Sequence, residues 1–263
     1  MRAPLRSVVD MDSHTASGPF RRDSTRSRNT TETGAALISL HGVSKTYTTG
    51  EVSFTALDHV TLTVGAGEFV GVVGPSGSGK STLLNLIAAI DRPSAGHVVV
   101  GDVEVSDLNE NDAARWRGRN LGVIFQFFQL LPTLSLADNV MLPMDFCGVH
   151  SRRERPAVAR ELLARVGLGD HADKLPSQVS GGQQQRAAIA RALANDPPII
   201  VGDEPTGNLD SASAASMMAL FDTLVASGRT VVLVTHDREL AARTGRTVLV
   251  QDGALTEHTV GAR

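Results

Sequence analysis

Gly74-Pro75-Ser76-Gly77-Ser78-Gly79-Lys80-Ser81-Thr82 fits the pattern G-x-x-x-x-G-K-[ST], a loop that wraps nucleotide phosphates. Its flanks agree. Phe69-Val70-Gly71-Val72-Val73 is an apolar, β-branched run of strand length. Ser81-Thr82-Leu83-Leu84-Asn85-Leu86-Ile87-Ala88-Ala89-Ile90 places apolar residues at helical spacing. Gly74, Gly77 and Gly79 open backbone conformations that a Cβ forbids. Successive N–H groups can then turn toward an anion at the positive end of the helix dipole. Lys80 supplies a point charge for the β- and γ-phosphates. The Ser81 hydroxyl is expected to ligate Mg2+, a hard cation that prefers oxygen. Gly74, Pro75, Ser76, Gly77, Ser78, Gly79, Lys80, Ser81 and Thr82 are therefore the expected phosphate contacts.

Such a loop needs a carboxylate for the metal, usually at the end of a nearby buried strand. Pro198-Ile199-Ile200-Val201-Gly202-Asp203-Glu204 supplies one. Asp203 is assigned to Mg2+ through water. Glu204, pointing another way, is assigned to polarising the water that attacks the γ-phosphate. Val231-Val232-Leu233-Val234-Thr235-His236-Asp237 repeats the form, and in an open α/β sheet ligands bind at the carboxyl ends of the strands. His236 is thereby placed to reach the γ-phosphate. The other histidines have no such placement.

A second anion-binding helix start lies at Val179-Ser180-Gly181-Gly182-Gln183, ahead of a helical run from Gln184 to Ala194. Ser180 can cap that helix. Two phosphate-type loops beside one pair of metal carboxylates hint at sites shared between chains.

With these residues in hand, the chain resembles an ATP-binding cassette (ABC) ATPase subunit. The loop at 74–82, Gln126 after a strand, Ser180-Gly181-Gly182-Gln183, Asp203-Glu204, Asn208-Leu209-Asp210 and His236 follow that family's order. The resemblance covers about residues 37 to 256. It implies two cassettes paired head to tail around two ATP molecules, the P-loop of one facing the SGGQ loop of the other, with a membrane protein converting the motion into work. It implies that Tyr47 stacks on adenine and that Gln126 senses the γ-phosphate and Mg2+. Ser180, Gly181 and Gly182 would contact the γ-phosphate of the opposite chain, with Gln183 also among the nucleotide-binding residues, and Asp210 would signal across the dimer. His236 would hold the γ-phosphate and the attacking water. Val179 in place of the usual Leu, and Gly202 before the acidic pair, are mild departures.

A narrower likeness is to the lipoprotein-release and macrolide-exporter branch. It rests on Tyr47-Thr48-Thr49-Gly50, Ala56 to Leu62, Gly122 to Pro132 and Glu204-Pro205-Thr206-Gly207-Asn208-Leu209-Asp210. That branch implies a permease with a large extracytoplasmic domain and often mechanical transduction. The cell-division cassette is a near relative, so a regulatory ATPase signalling without transport is the alternative.

Composition sets outer limits. The chain has 263 residues, 41% hydrophobic, enough for one substantial core or two subdomains. A net charge of −3 argues against a general nucleic-acid binder. The single cysteine, Cys147, rules out an internal disulfide, fits a reducing cytoplasm and reads as a small buried hydrophobe. No apolar run reaches the ~18–20 residues of a membrane span, and no signal-peptide core follows the start. The expectation is a peripheral subunit at the cytoplasmic face of the plasma membrane.

Residues 1–35, rich in Ser, Thr and Arg without hydrophobic periodicity, read as a disordered tail. Residues 36–260 read as the ABC ATPase domain: a P-loop NTPase with a mostly parallel α/β core, an N-terminal antiparallel β region and a helical subdomain inserted at about 127–183. Phe127, Phe128, Leu130 and Leu131 are candidates for a groove that accepts a permease helix. Gly101-Asp102 marks a hairpin.

Overall fold

In this computed structural model, which describes residues 36–258, the chain begins with two long strands. β1 (Ala36–Thr49) and β2 (Val52–Gly65) pair antiparallel about a turn at Gly50, φ +61°. The P-loop unit follows as β3 (Phe69–Val73) and α1 (Lys80–Ile87). Next come β4 (Ala95–Val100), β5 (Val103–Glu104), α2 (Glu110–Asn120) and β6 (Leu121–Ile124). The chain then leaves the sheet for α3 (Leu136–Cys147), α4 (Arg155–Arg165) and α5 (Gly181–Ala192). It returns as β7 (Ile199–Asp203), α6 (Ser211–Ala226), β8 (Thr230–Thr235), α7 (Arg238–Arg243), β9 (Arg246–Gln251) and β10 (Ala254–His258). The tail expected at 1–35 lies outside the described residues.

Two sheets carry the α/β architecture. β2-β1-β4-β5 is antiparallel, with the expected hairpin turning between Val100 and Val103. β10-β9-β3-β8-β7-β6 is parallel except for β10 at its edge. The central strands are buried on both faces, which is why β7 and β8 are continuous apolar runs rather than alternating ones. Leu83, Leu84, Leu86 and Ile87 of α1 join Ile38, Leu40, Leu57 and Leu62 of the antiparallel sheet and Val70, Val72 and Val201 of the parallel one in a single core. α1 is thus wedged between the sheets, and its first turn is fixed in place.

The three helices between β6 and β7 bury a core of their own: Leu136, Val140, Met144, Ala159, Leu163, Val166, Leu168, Ala187 and Ala190. Leu163→Ala is expected to remove about 2–5 kcal/mol of stability through transfer and cavity terms, since the side chain is fully buried there. Urea unfolding checks it, and a loss below about 1 kcal/mol would mean the block is loosely packed.

Three features differ from expectation. α1 ends at Ile87 rather than Ile90, because Ala89 turns to φ +50° and the Arg117 guanidinium takes the Ala88 and Ala89 carbonyls. α2 has no counterpart in the sequence reading. Cys147 is half-buried, not buried: it ends α3 packed against Gly118, where a Cβ would come 2.2 Å from its sulfur.

Candidate active site

The parallel register brings the sequence candidates to one edge of the sheet. Val73 pairs with Thr235, and Val234 with Asp203. The P-loop, Asp203, Glu204 and His236 therefore leave the carboxyl ends of three adjacent strands together.

The loop of residues 74–79 is shaped by its glycines. Gly74, Gly77 and Gly79 have φ of +154°, +79° and +106°. Gly79 occupies the N-cap of α1 with no side-chain cap, and no acid sits in the first turn. The helix start is left open to an anion. Lys80 is buried and its Nζ donates to Pro75 O at 2.7 Å, so the cation lies across the loop. Ser78 is also buried, and its hydroxyl has no protein partner. Pro75, Ser76 and Ser81 are exposed, Thr82 half-buried.

The Ser81 hydroxyl lies close enough to Asp203 to act on its carboxyl. Burial pushes the Asp203 carboxyl above the usual range, the Glu204 charge adds to the rise, and Ser81 and Lys80 oppose it. Ser81 and Asp203 thus set two hard oxygens side by side. Among the described residues no group of three or more His, Cys, Asp or Glu could hold a metal alone. The pair supplies the hard oxygen donors that Mg2+ prefers.

Glu204 sits at φ +47°, a strained conformation for a side chain of its size. Its N–H donates to Val234 O at 2.9 Å. Oε1 lies 2.7 Å from His236 Nδ1, and Thr235 Oγ1 donates to Oε2 at 3.4 Å. The Glu204 side chain is 13% exposed and His236 70%, so the histidine covers the carboxylate from the solvent side. This contact joins residues 32 apart in sequence, and the sequence reading placed the two residues separately without pairing them.

Gln126 follows β6, half-buried; its carbonyl accepts from Asn208 Nδ2 at 3.0 Å, which ties this loop to the Asn208-Leu209-Asp210 segment. Asp210 is the N-cap of α6, accepting from Ser213 N at 2.9 Å and Ser213 Oγ at 2.7 Å. Those bonds hold its carboxyl below the usual range. Ser180 and Gln183 form a capping box at the start of α5: Gln183 N–H donates to Ser180 Oγ at 3.3 Å and Ser180 N–H to Gln183 Oε1 at 2.9 Å. Gly182 abuts Ser213, where a Cβ would lie 2.8 Å from the hydroxyl. Among the described residues no hydrogen bond joins Ser180–Gln183 to the loop at 74–82.

Tyr47 is brought to the P-loop by the long hairpin. A cleft of about 210 Å3 is lined by Tyr47, Phe54, Ala56, Gly77, Gly79, Lys80, Ser81 and Thr82. Tyr47 OH donates to Asp91 Oδ2 at 2.9 Å, and Lys45 Nζ stands 4.9 Å from its ring centre. Phe54 was not anticipated. It pairs with Tyr47 across the hairpin, a register the turn at Gly50 could have disclosed. Gln185 was missed too: it is fully buried in α5 and its Nε2 donates to Pro205 O at 2.8 Å, next to Glu204.

A phosphate loop at α1, an acidic pair with its histidine, and a second, capped loop at α5 define a P-loop NTPase of the cassette type. Residues 57–207 match the ABC transporter family, and the chain belongs to it and carries its ATPase cassette. Among curated relatives, "Macrolide export ATP-binding/permease protein MacB" of Hyphomonas neptunium is 46% identical over 219 residues, covering 83% of this chain and 34% of that protein. "Uncharacterized ABC transporter ATP-binding protein YknY" of Bacillus subtilis is 43% identical, covering 86% of this chain and 98% of that protein. The chain spans about a third of the length of the macrolide-export relatives it matches. Among solved structures, the dimeric post-hydrolysis state of the cassette MJ0796 bound to ADP and Pi superposes with a TM-score of 0.81 at 42% identity, covering 86% of this chain and all of that one. No helix among the described residues is long and apolar enough to cross a membrane.

Proposed function

We propose that this chain binds Mg-ATP, pairs head to tail with a second copy, and hydrolyses the nucleotide to drive a separate membrane permease. The observation that carries this reading is the Glu204–His236 pair beside Ser81–Asp203 at the carboxyl edge of the sheet. Glu204 positions the attacking water, and His236 steadies Glu204 and faces the γ-phosphate. Ser81 and Gln126, with Asp203 through water, would hold Mg2+, which would neutralise phosphate charge. Gly74 to Thr82 cradle the phosphates and Tyr47, with Phe54 beside it, takes the base. Ser180, Gly181, Gly182 and Gln183 face the nucleotide of the second copy, and Asp210 lies at that junction. The dimeric state of the MJ0796 cassette supports the pairing. Residues 127–183 then act as the helical subdomain of a cassette spanning 36–260.

The permease is read as an exporter or mechanical transducer with a large extracytoplasmic domain, which places this subunit at the cytoplasmic membrane face. An apolar groove of about 510 Å3 between α2, β6, α3 and α5 offers the docking surface, with Phe125, Leu142, Phe146 and Cys147 among its walls. Phe127, Phe128, Leu130 and Leu131 do not line it. Phe127 and Leu131 are exposed beyond it, and Leu130 packs on the helical core.

Tagged Glu204→Gln, purified with Mg-ATP from detergent-solubilised membranes, is expected to bring down a permease with such a domain, identified by mass spectrometry. A division protein in its place would favour the regulatory alternative. No membrane partner at all would sink the transport reading. Lys80→Ala is expected to weaken ATP binding about 10–100-fold through loss of a charge-assisted phosphate contact. Titration with a fluorescent ATP analogue measures this, and unchanged affinity would remove the P-loop assignment.

A further inference from the structure

The turn after Gln126 is held by Arg191, which with Gln129 also lines the apolar groove but has been given no role in the nucleotide site. Phe128 and Gln129 are consecutive non-glycine residues at φ +44° and +55°, a conformation side chains avoid. The Gln129 N–H folds back to Phe127 O. Both carbonyls of the strained pair are taken by one guanidinium: Arg191 Nη2 donates to Phe128 O at 2.8 Å and Nη1 to Gln129 O. Arg191 lies on the last turn of α5, half-buried, with no carboxylate partner among the described residues. A planar fork suits two oxygens at once; an ammonium does not.

The other end of α5 meets the same turn. The Phe128 ring lies against Gly181, where a Cβ would stand 3.7 Å from Cζ. One helix therefore grips the turn from its first residue and from its last turn, about 15 Å apart along the axis.

We propose that Arg191 is a positioning residue for ATP hydrolysis, its fork keeping the Phe128–Gln129 turn, and through it Gln126, in the strained form and in step with the Ser180–Gln183 loop. This rests on the ATPase reading above. The device has a specific signature. If Arg191 works by holding a left-handed pair, a glycine at the exposed Gln129 relieves the strain and makes the clamp dispensable.

The test uses the full chain carrying Arg191→Met or Arg191→Lys, each alone and with Gln129→Gly. Arg191→Met is expected to lower kcat about tenfold by misplacing Gln126, with ATP affinity held within about twofold. Arg191→Lys is expected to lose most of the same activity. Adding Gln129→Gly is expected to restore most of it. Hydrogen exchange of the amides at 127–131 is expected to quicken in Arg191→Met and slow again in the double variant. A loss that Gln129→Gly leaves untouched, or a kcat within about twofold of the unsubstituted chain, overturns the proposal. Unchanged exchange in an active enzyme overturns the clamp itself. An unsubstituted chain that does not hydrolyse ATP, yet shows clamp-dependent exchange, overturns the ATPase reading and the positioning role with it, and leaves only the clamp.

Discussion

Glu204→Gln is expected to bind ATP as the unsubstituted chain does, to hydrolyse it about 10²–10⁴-fold more slowly, and to accumulate as a nucleotide-bound dimer. The argument is chemical rather than steric. Glutamine has nearly the shape of glutamate and keeps one acceptor oxygen for either Thr235 or His236, which meet different oxygens of Glu204, while its NH2 faces the other. What it lacks is the negative charge that, in the role proposed for Glu204, orients and deprotonates a water. The phosphate loop lies on a different strand end and should be untouched, which is why binding survives when turnover does not. A phosphate-release assay reads the rate, and sizing with light scattering reads the dimer. If the variant turns over within about tenfold of the unsubstituted chain, Glu204 is not the group that prepares the water. If it stays monomeric at saturating Mg-ATP, the head-to-tail sandwich fails for the isolated subunit.

Gly74→Ala is expected to abolish nucleotide binding and to lower stability by about 2–4 kcal/mol. A Cβ at this position would lie 2.0 Å from Val250 O and 2.8 Å from Ser78 Oγ, on a backbone already at φ +154°. Val250 belongs to β9, which is paired with β3 immediately upstream. Its carbonyl cannot retreat without opening that ladder, so the strain has to be taken by the loop. Gly77→Ala serves as the control. Nothing lies within 4 Å of its added Cβ, and only the left-handed φ of +79° penalises it, at about 1–2 kcal/mol. Urea unfolding and titration with a fluorescent ATP analogue separate the two variants. Near-normal binding by Gly74→Ala would mean that the loop adopts a different backbone course.

The parts of this fold that the sequence disclosed share a physical cause. β3, β7 and β8 are short apolar runs followed by polar or glycine residues, so pattern and boundary coincide. α2 failed for the opposite reason. Only Ala113 of that helix is buried, so it has almost no apolar period to detect. Its signal lay instead in Asn109 capping Asp112, acids in the first turn and Arg117 and Arg119 in the last. Cys147 was misjudged because residue type predicts burial only on average, whereas a helix end packed on a neighbouring glycine leaves one side open. In the site, each residue type was legible but the contacts were not. Glu204 and His236 meet because β7 and β8 are neighbours in a given register, and Arg191 reaches Phe128 and Gln129 because α5 crosses their turn. Pairings of that kind are a property of topology, which local spacing does not carry.

If Glu204 prepares the water as proposed, its left-handed backbone places robustness and turnover in opposition at a single position. A glycine there would relax the main chain by about 1 kcal/mol while deleting the carboxylate. A search for hardier variants that scores melting temperature alone would drift toward that change and arrive at a sturdier cassette that no longer consumes its fuel.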